Sequence, residues 1–294
     1  MKRIMLIVLP VFLMLTFGCN TTDYNSADDI PENNDNYNSS NLNDSSIEKK
    51  SYRIKRKIVH DGIFSEKDGT VDLITEYEYD DNGNIIKEST SDYEKIRMNE
   101  YLEYLYDYSG NRVLCNSYSN DLLSYYVIFE YNQDNQIVSE IRYYPKEDSE
   151  KAQTDDDFEE STRIDYKYDS EGMLIKKEVS NGKEIYTIDL EYNKDGNLIK
   201  EKANLITTTY TYDENNRITS KKSSNGVNEF YYYLTNDSEK LEKKELVMGK
   251  NKTISSYKYD SNGNMIGEHI ENDKENINQR IEYEYDEFWR TIGW

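Results

Sequence analysis

Residues 77–88 read YEYDDNGNIIKE, and residues 257–268 read YKYDSNGNMIGE. The pattern Y-x-Y-D-x-x-G-N-x-I recurs as YLYDYSGNRV from 104, FEYNQDNQIV from 129, YKYDSEGMLI from 166 and LEYNKDGNLI from 190. It continues as TYTYDENNRIT from 209 and YEYDEFWRTI from 283, with a degenerate copy, YYYLTNDSEKL, from 231. The second tyrosine falls at 79, 106, 131, 168, 192, 212, 233, 259 and 285. Most steps are 20 to 27 residues; the step from Tyr131 to Tyr168 holds an insert.

Each position has a physical reason. Y-x-Y puts two aromatic rings on one face of a strand, because side chains alternate with period two. Asp80, Asp107, Asp169, Asp213, Asp260 and Asp286 sit where a type I turn favours Asp, whose carboxylate accepts from backbone N–H groups further on. Four residues past the tyrosine comes Gly83, Gly110, Gly172, Gly196 or Gly263, where a hairpin needs positive φ. Asn135, Asn216 and Asp237 replace it, and these side chains tolerate the left-handed region. The returning strand resumes with Ile86, Val113, Val138, Ile175, Ile199 or Ile266, and units join through looser turns such as SNGK at 180 and SNGV at 224. Each unit is therefore a β-hairpin closed by a D-x-x-G turn.

Nine hairpins give about 18 strands, and a flat sheet of that size would be about 80 Å wide. Open twisted sheets do not extend so far. The fold class expected is all-β: tandem antiparallel hairpins forming a coiled or spiral sheet, with the tyrosines on the inner face. Whether the array closes is left open. Repeat arrays draw their stability locally, from unit against neighbouring unit.

The repeat occupies residues 51–294, beginning with a strand at YRIKRKIV, and is interrupted by the acidic insert PKEDSEKAQTDDDFEES at 145–161, which reads as a solvated loop. Residues 19–50 are rich in Asn, Asp and Ser without apolar periodicity, a composition expected of a flexible tether. Ahead of it, MKRIMLIVLPVFLMLTFGC has two basic residues, an apolar run from Ile4 to Phe17, then Gly18 and Cys19. That is the plan of an export signal, residues 1–18. LTFGC resembles the lipobox of bacterial lipoproteins, with Thr16 where the family usually has Leu. The resemblance implies lipidation of Cys19 and a membrane-anchored, extracytoplasmic address at the bacterial cell envelope. The other cysteine, Cys115, reads as a small buried hydrophobe.

The motif YxYDxxGN at this spacing resembles the YD repeat of the RHS family, over roughly residues 75–292. The resemblance implies a β-strand-rich spiral. Large members form hollow shells around toxins or act as adhesion molecules at cell surfaces. A toxin-enclosing role is not expected of so short an array.

Composition narrows the function. A net charge of −22 argues against nucleic acid, since phosphate binding needs clustered Lys and Arg, and the one such stretch is RIKRK at 53–57. The only histidines, His60 and His269, have no second ligand at metal spacing, so neither a metal site nor a cofactor is expected. DDNGN at 80–84 and DSNGN at 260–264 resemble the start of a calcium loop, but Ile85 and Met265 stand where an EF-hand needs Gly. The turn reading already accounts for these residues. No nucleophile elbow is present, and an enzyme is not expected. The 29 tyrosines remain. Those in repeat phase read as cross-strand ladders. Those out of phase, Tyr125, Tyr126, Tyr143, Tyr144 and Tyr232, are the candidates for binding a cell-surface polysaccharide or protein, because tyrosine offers a flat ring and a hydrogen-bonding tip. The alternative is a structural or toxin-associated scaffold with no ligand of its own.

Overall fold

A computed structural model describes residues 47–60, 70–92, 99–146, 154–235 and 239–292. The signal segment, Cys19 and most of the expected tether lie outside them. The described residues form strands β1 (Ile47–His60), β2 (Val71–Tyr79), β3 (Ile85–Asp92), β4 (Asn99–Tyr106), β5 (Arg112–Ser119) and β6 (Leu122–Tyr131). There follow β7 (Ile137–Pro145), β8 (Phe158–Tyr168), β9 (Leu174–Ser180), β10 (Ile185–Tyr192), β11 (Leu198–Ala203) and β12 (Ile206–Tyr212). The last six are β13 (Ile218–Ser223), β14 (Val227–Tyr233), β15 (Leu241–Met248), β16 (Asn251–Tyr259), β17 (Met265–Asn272) and β18 (Ile277–Ile292). One 3₁₀ turn, Asp155–Asp157, precedes β8. Each strand pairs antiparallel with its neighbours in sequence, and β18 pairs with β1. The array closes. It is an 18-stranded up-and-down barrel, and at about 4.8 Å per strand its perimeter is on the order of 90 Å, wide enough for an open lumen.

The hairpins follow the sequence pattern closely. In the first, Gly83 N–H donates to the Asp80 carbonyl (3.1 Å), and Asp80 Oδ1 accepts from the N–H groups of Asn82 (2.9 Å) and Asn84 (2.8 Å). Gly83 lies at φ +87°, and Asn135 and Asn216 take the same role at +58° and +61°. Asp237 lies outside the described residues. One detail departs from expectation: Tyr79 pairs with Ile85 and Glu78 with Lys87, so Ile86 is a bulge residue. The same register shift precedes the second tyrosine in all eight of these hairpins. The returning strands thus start one residue early, at Ile85, Arg112, Ile137, Leu174, Leu198, Ile218, Leu241 and Met265. The residues after them point the other way, and Ile86, Ile175 and Ile266 are exposed.

The ninth unit explains the closure. Trp289 stands where the other units have Gly, Asn or Asp, so nothing favours positive φ, and β18 runs straight on to Ile292. Its partner is β1. Tyr285 pairs with Ile54 and Glu284 with Arg56, skipping Lys55, the same bulge that skips Ile86. Strand β1 is therefore the returning arm of the last repeat, placed at the other end of the chain. Residues 53–57 (RIKRK) align with 217–221 (RITSK), the returning arm of the Tyr212 unit. Strand β1 also includes Ile47–Lys50, four residues assigned to the tether from the sequence.

The paired tyrosines share one face, while the residue between them is exposed in all nine units: Glu78, Leu105, Glu130, Lys167, Glu191, Thr211, Tyr232, Lys258 and Glu284. Side chains converge on the concave face of a closed sheet, so we assign the tyrosine face, the more buried of the two, to the lumen. There the second tyrosine of every unit donates its hydroxyl to the first carbonyl of the preceding unit's returning strand. The nine bonds, from Tyr79 to Ile54 through Tyr285 to Met265, measure 2.5 to 3.0 Å. Repeat-phase tyrosines are thus structural latches between units. The apolar core is local: Ile85, Tyr104, Cys115, Val127 and Phe129 pack together under β3–β6.

Candidate recognition surface

The out-of-phase aromatics fall on both sides of the sheet, because neighbouring residues on a strand face opposite ways. Tyr126 pairs with Tyr143 on the outward face; their rings stack at 4.7 Å and 15°, and Phe158 leans on Tyr126 at 5.2 Å. Tyr125 and Tyr144 meet on the lumen face at 5.4 Å, with the Arg142 guanidinium 5.1 Å from the Tyr125 ring. Tyr232 stands apart on β14, outward and 41% exposed, with Lys243 Nζ 4.1 Å above it. The five candidates are thus two pairs and a singleton, not one site.

The outward pair belongs to a longer strip. Tyr101 on β4 and Tyr118 on β5 stack at 4.6 Å and 16° on the same face, with Lys87 Nζ 4.1 Å over Tyr101. Asn116, two residues from Tyr118, pairs with Tyr126. Tyr101, Tyr118, Tyr126, Tyr143 and Phe158 therefore run diagonally across β4–β8. Tyr126 and Phe158 are the buried floor, and the other rings are half-exposed. Burial, then the carboxylates of Asp121 and Glu103, push the Tyr101 phenol up; burial and Glu103 do the same to Tyr118. Both are neutral donors at neutral pH. Partial burial works against the charge on Lys87, but its bond to Glu103 (3.2 Å) outweighs this and holds its pKa above the usual lysine value. The strip offers flat rings, neutral hydroxyl tips and one fixed cation.

Sequence reasoning missed Tyr101, Tyr118 and Phe158. The first two carry a signal, since Tyr101 lies an odd number of residues before Tyr104 and so faces the opposite way. Phe158 is hidden in the acidic insert. The insert is shorter than it reads: β7 extends to Pro145, which pairs with Phe158, and Phe158–Ser161 open β8. Lys146 N–H donates to the Asp157 carbonyl (2.9 Å), and Thr154 bonds the Asp157 carboxylate.

The predicted turn residues, Asp80, Gly83, Asp107, Gly110, Asp169, Gly172, Gly196, Asp260 and Gly263, all close hairpins. At Asp80 burial opposes ionisation, yet donation from Asn84, Asn82 and Gly83 prevails and holds the carboxyl below its usual range. At Asp107 the Asn111 side chain is the leading cause of the same shift. These carboxylates already accept bonds within their own turns. Among the described residues no group of three or more His, Cys, Asp or Glu is placed to hold a metal. His60 and His269 both pair with Arg280 from opposite sides.

On the lumen face the first tyrosine of a unit can donate to the glutamate of the unit before it, as Tyr104 does to Glu88 (2.7 Å), Tyr166 to Glu140 and Tyr210 to Glu201 (2.5 Å). Glu229 accepts from Tyr231 (2.8 Å) and pairs with Lys244 (2.8 Å) and Lys221 (3.8 Å). Burial, with the neighbouring carboxylate second, raises the phenols of Tyr210 and Tyr231 far above their ordinary value.

Residues 192–227 match the family model for the RHS Repeat, spanning the end of β10 to the start of β14. Comparison with curated proteins gave no match. Among solved structures, one titled "Crystal Structure of TcdB2-TccC3-TEV" matches at 14% identity and a TM-score of 0.33, over 70% of this chain and 12% of that one. A porin-like protein from Bacteroides uniformis matches at 10% identity and a TM-score of 0.40, over 79% of this chain and 96% of that one. This chain spans about an eighth of the TcdB2-TccC3-TEV chain. Likenesses this weak carry no weight for function.

Proposed function

We propose that this RHS-repeat barrel is a non-catalytic recognition module of the bacterial cell envelope, anchored by lipid at Cys19, that binds a surface polysaccharide through the outward aromatic strip of β4–β8. One observation carries the reading. The repeat requires tyrosines only on the lumen face, yet β4–β8 add Tyr101, Tyr118, Tyr126 and Tyr143 on the other. Stacked rings with neutral hydroxyl tips suit the apolar faces and hydroxyls of sugars, and aromatic anchors dominate many interfaces. The net charge of −22 fits an uncharged or cationic ligand better than an anionic one.

A membrane-spanning reading is disfavoured by the residues on both faces. A lipid-facing barrel needs an apolar band about 25 Å tall. Here the outward face carries ion pairs such as Lys87–Glu103, Lys167–Glu178 and Lys200–Glu191, and the lumen face carries Lys221–Glu229–Lys244.

The test is a cell-wall polysaccharide array probed with residues 20–294. The reading expects selective binding, reduced at least tenfold by Tyr101→Ala or Tyr143→Ala and unchanged by Tyr232→Ala. A folded fragment that binds nothing would leave the scaffold reading, with the strip serving as packing.

A further inference from the structure

The one basic stretch in this acidic chain lies on the strand that closes the barrel. Lys55 Nζ faces Asp286 Oδ1 at 3.5 Å, and Arg56 reaches Glu76 (3.4 Å) and Glu284 (3.5 Å). The acids come from β2 and β18, the strands on either side of β1. Further contacts also come from outside β1: the Tyr79 hydroxyl donates to the Ile54 carbonyl, and Glu282 meets His60 Nε2 at 3.3 Å. Between β18 and β2 there is thus an acidic slot that reads a returning arm by register, by hydroxyl and by charge. No turn ties β1 to β18, in contrast to the eight hairpins. On its other side β1 is joined to β2 through residues 61–70, whereas β11 and β12 are joined by two residues.

We propose that this slot is a strand-binding site and that its second occupant, besides the chain's own β1, is the β1 of another copy, giving a strand-swapped dimer at high concentration. The slot's bonds are made to features every copy carries: the Ile54 carbonyl, Lys55 and Arg56. None depends on a covalent link across the seam. Exchange of an identical element is a low-cost route to a dimer. Self-closure dominates in dilute solution, because the tethered strand has the higher effective concentration.

Charge reversal separates the two states. One full-length variant carries Lys55→Glu and Arg56→Glu; the other carries Glu76→Lys, Glu284→Lys and Asp286→Lys. Each alone sets like charges across its own seam. Mixed, each slot finds a complementary strand in the other variant, and we expect a 1:1 heterodimer by light scattering, about tenfold enriched over either homodimer. If the single variants fail to fold, mixing restores β circular dichroism and the heterodimer together. Folded monomers that stay monomeric on mixing, or unfolded chains that mixing does not rescue, would overturn the proposal.

Discussion

Strands β2–β8 and strands β10–β17 repeat the same hairpin, yet they are filled differently. The first region packs Ile85, Tyr104, Cys115, Val127 and Phe129 into one apolar cluster. The second pairs polar groups across strands: Thr208 with Ser223 (2.5 Å), Thr211 with Ser220 (2.7 Å), and Glu229 with Lys244 and Lys221. Buried polar groups are tolerated only when partnered, and here the partners come from the next strand. What both regions share is the D-x-x-G turn and the tyrosine-to-carbonyl bond. Those elements suffice to form a hairpin and join it to the next. Every other position is free, and in β4–β8 that freedom holds the outward aromatic strip.

The largest expected effect is alkaline, and it falls on both regions, through what they share. Burial pushes the Tyr79 and Tyr285 phenols up to about 12, and those of Tyr210 and Tyr231 further still. A raised phenol stabilises the folded chain fully below its unfolded pKa of about 10, and the contribution is lost as pH rises through the folded value. A neighbouring glutamate adds to burial at Tyr210 and Tyr231, and at Tyr77 in the first region, whose phenol is raised just as strongly. Urea midpoints should therefore fall between pH 9 and pH 11, and proteolysis at pH 11 should open β2–β4 and β12–β15 alike; cutting confined to one region would contradict the role shared by the buried phenols.

Next comes Phe129→Ala, which should destabilise by about 3–5 kcal/mol in urea titration. Leu190, at the same repeat position outside the cluster, should lose only about 2 kcal/mol on change to Ala. Equal losses would mean that the apolar cluster has no special weight. Glu229→Gln leaves Lys221 and Lys244 facing each other and should cost about 2 kcal/mol, less than a fully buried pair because both lysines reach water. This loss should shrink in high salt. The smallest effect should be the most uniform: Tyr106→Phe and Tyr212→Phe each remove one hydroxyl-to-carbonyl bond, for about 1 kcal/mol in either region.

Much of this was legible in the sequence, because turn chemistry is local. Asp80 and Gly83 announce their hairpin within four residues. Closure was not, since Arg53–Lys57 finds its partner strand at 283–286, more than 220 residues away, and half a repeat without its tyrosines does not look like one. The bulge also escaped notice: Ile85 faces the lumen and Ile86 does not, a parity set by backbone geometry that the pattern alone does not reveal. Tyr125 and Tyr126 show the limit of reading clusters from a string, as adjacent residues they face opposite sides.

The central claim is that the barrel closes through a repeat divided between the two ends of the chain. Hydrogen exchange on the full-length protein at neutral pH tests it directly. The backbone amides of Ser51–Ile54 and Tyr283–Glu287 that point across the seam, where β1 and β18 have no other partner strand, should be protected to the same degree as those of β6 and β7. Exchange of those seam amides within seconds, while β6 and β7 stay protected, would contradict closure and leave an open sheet.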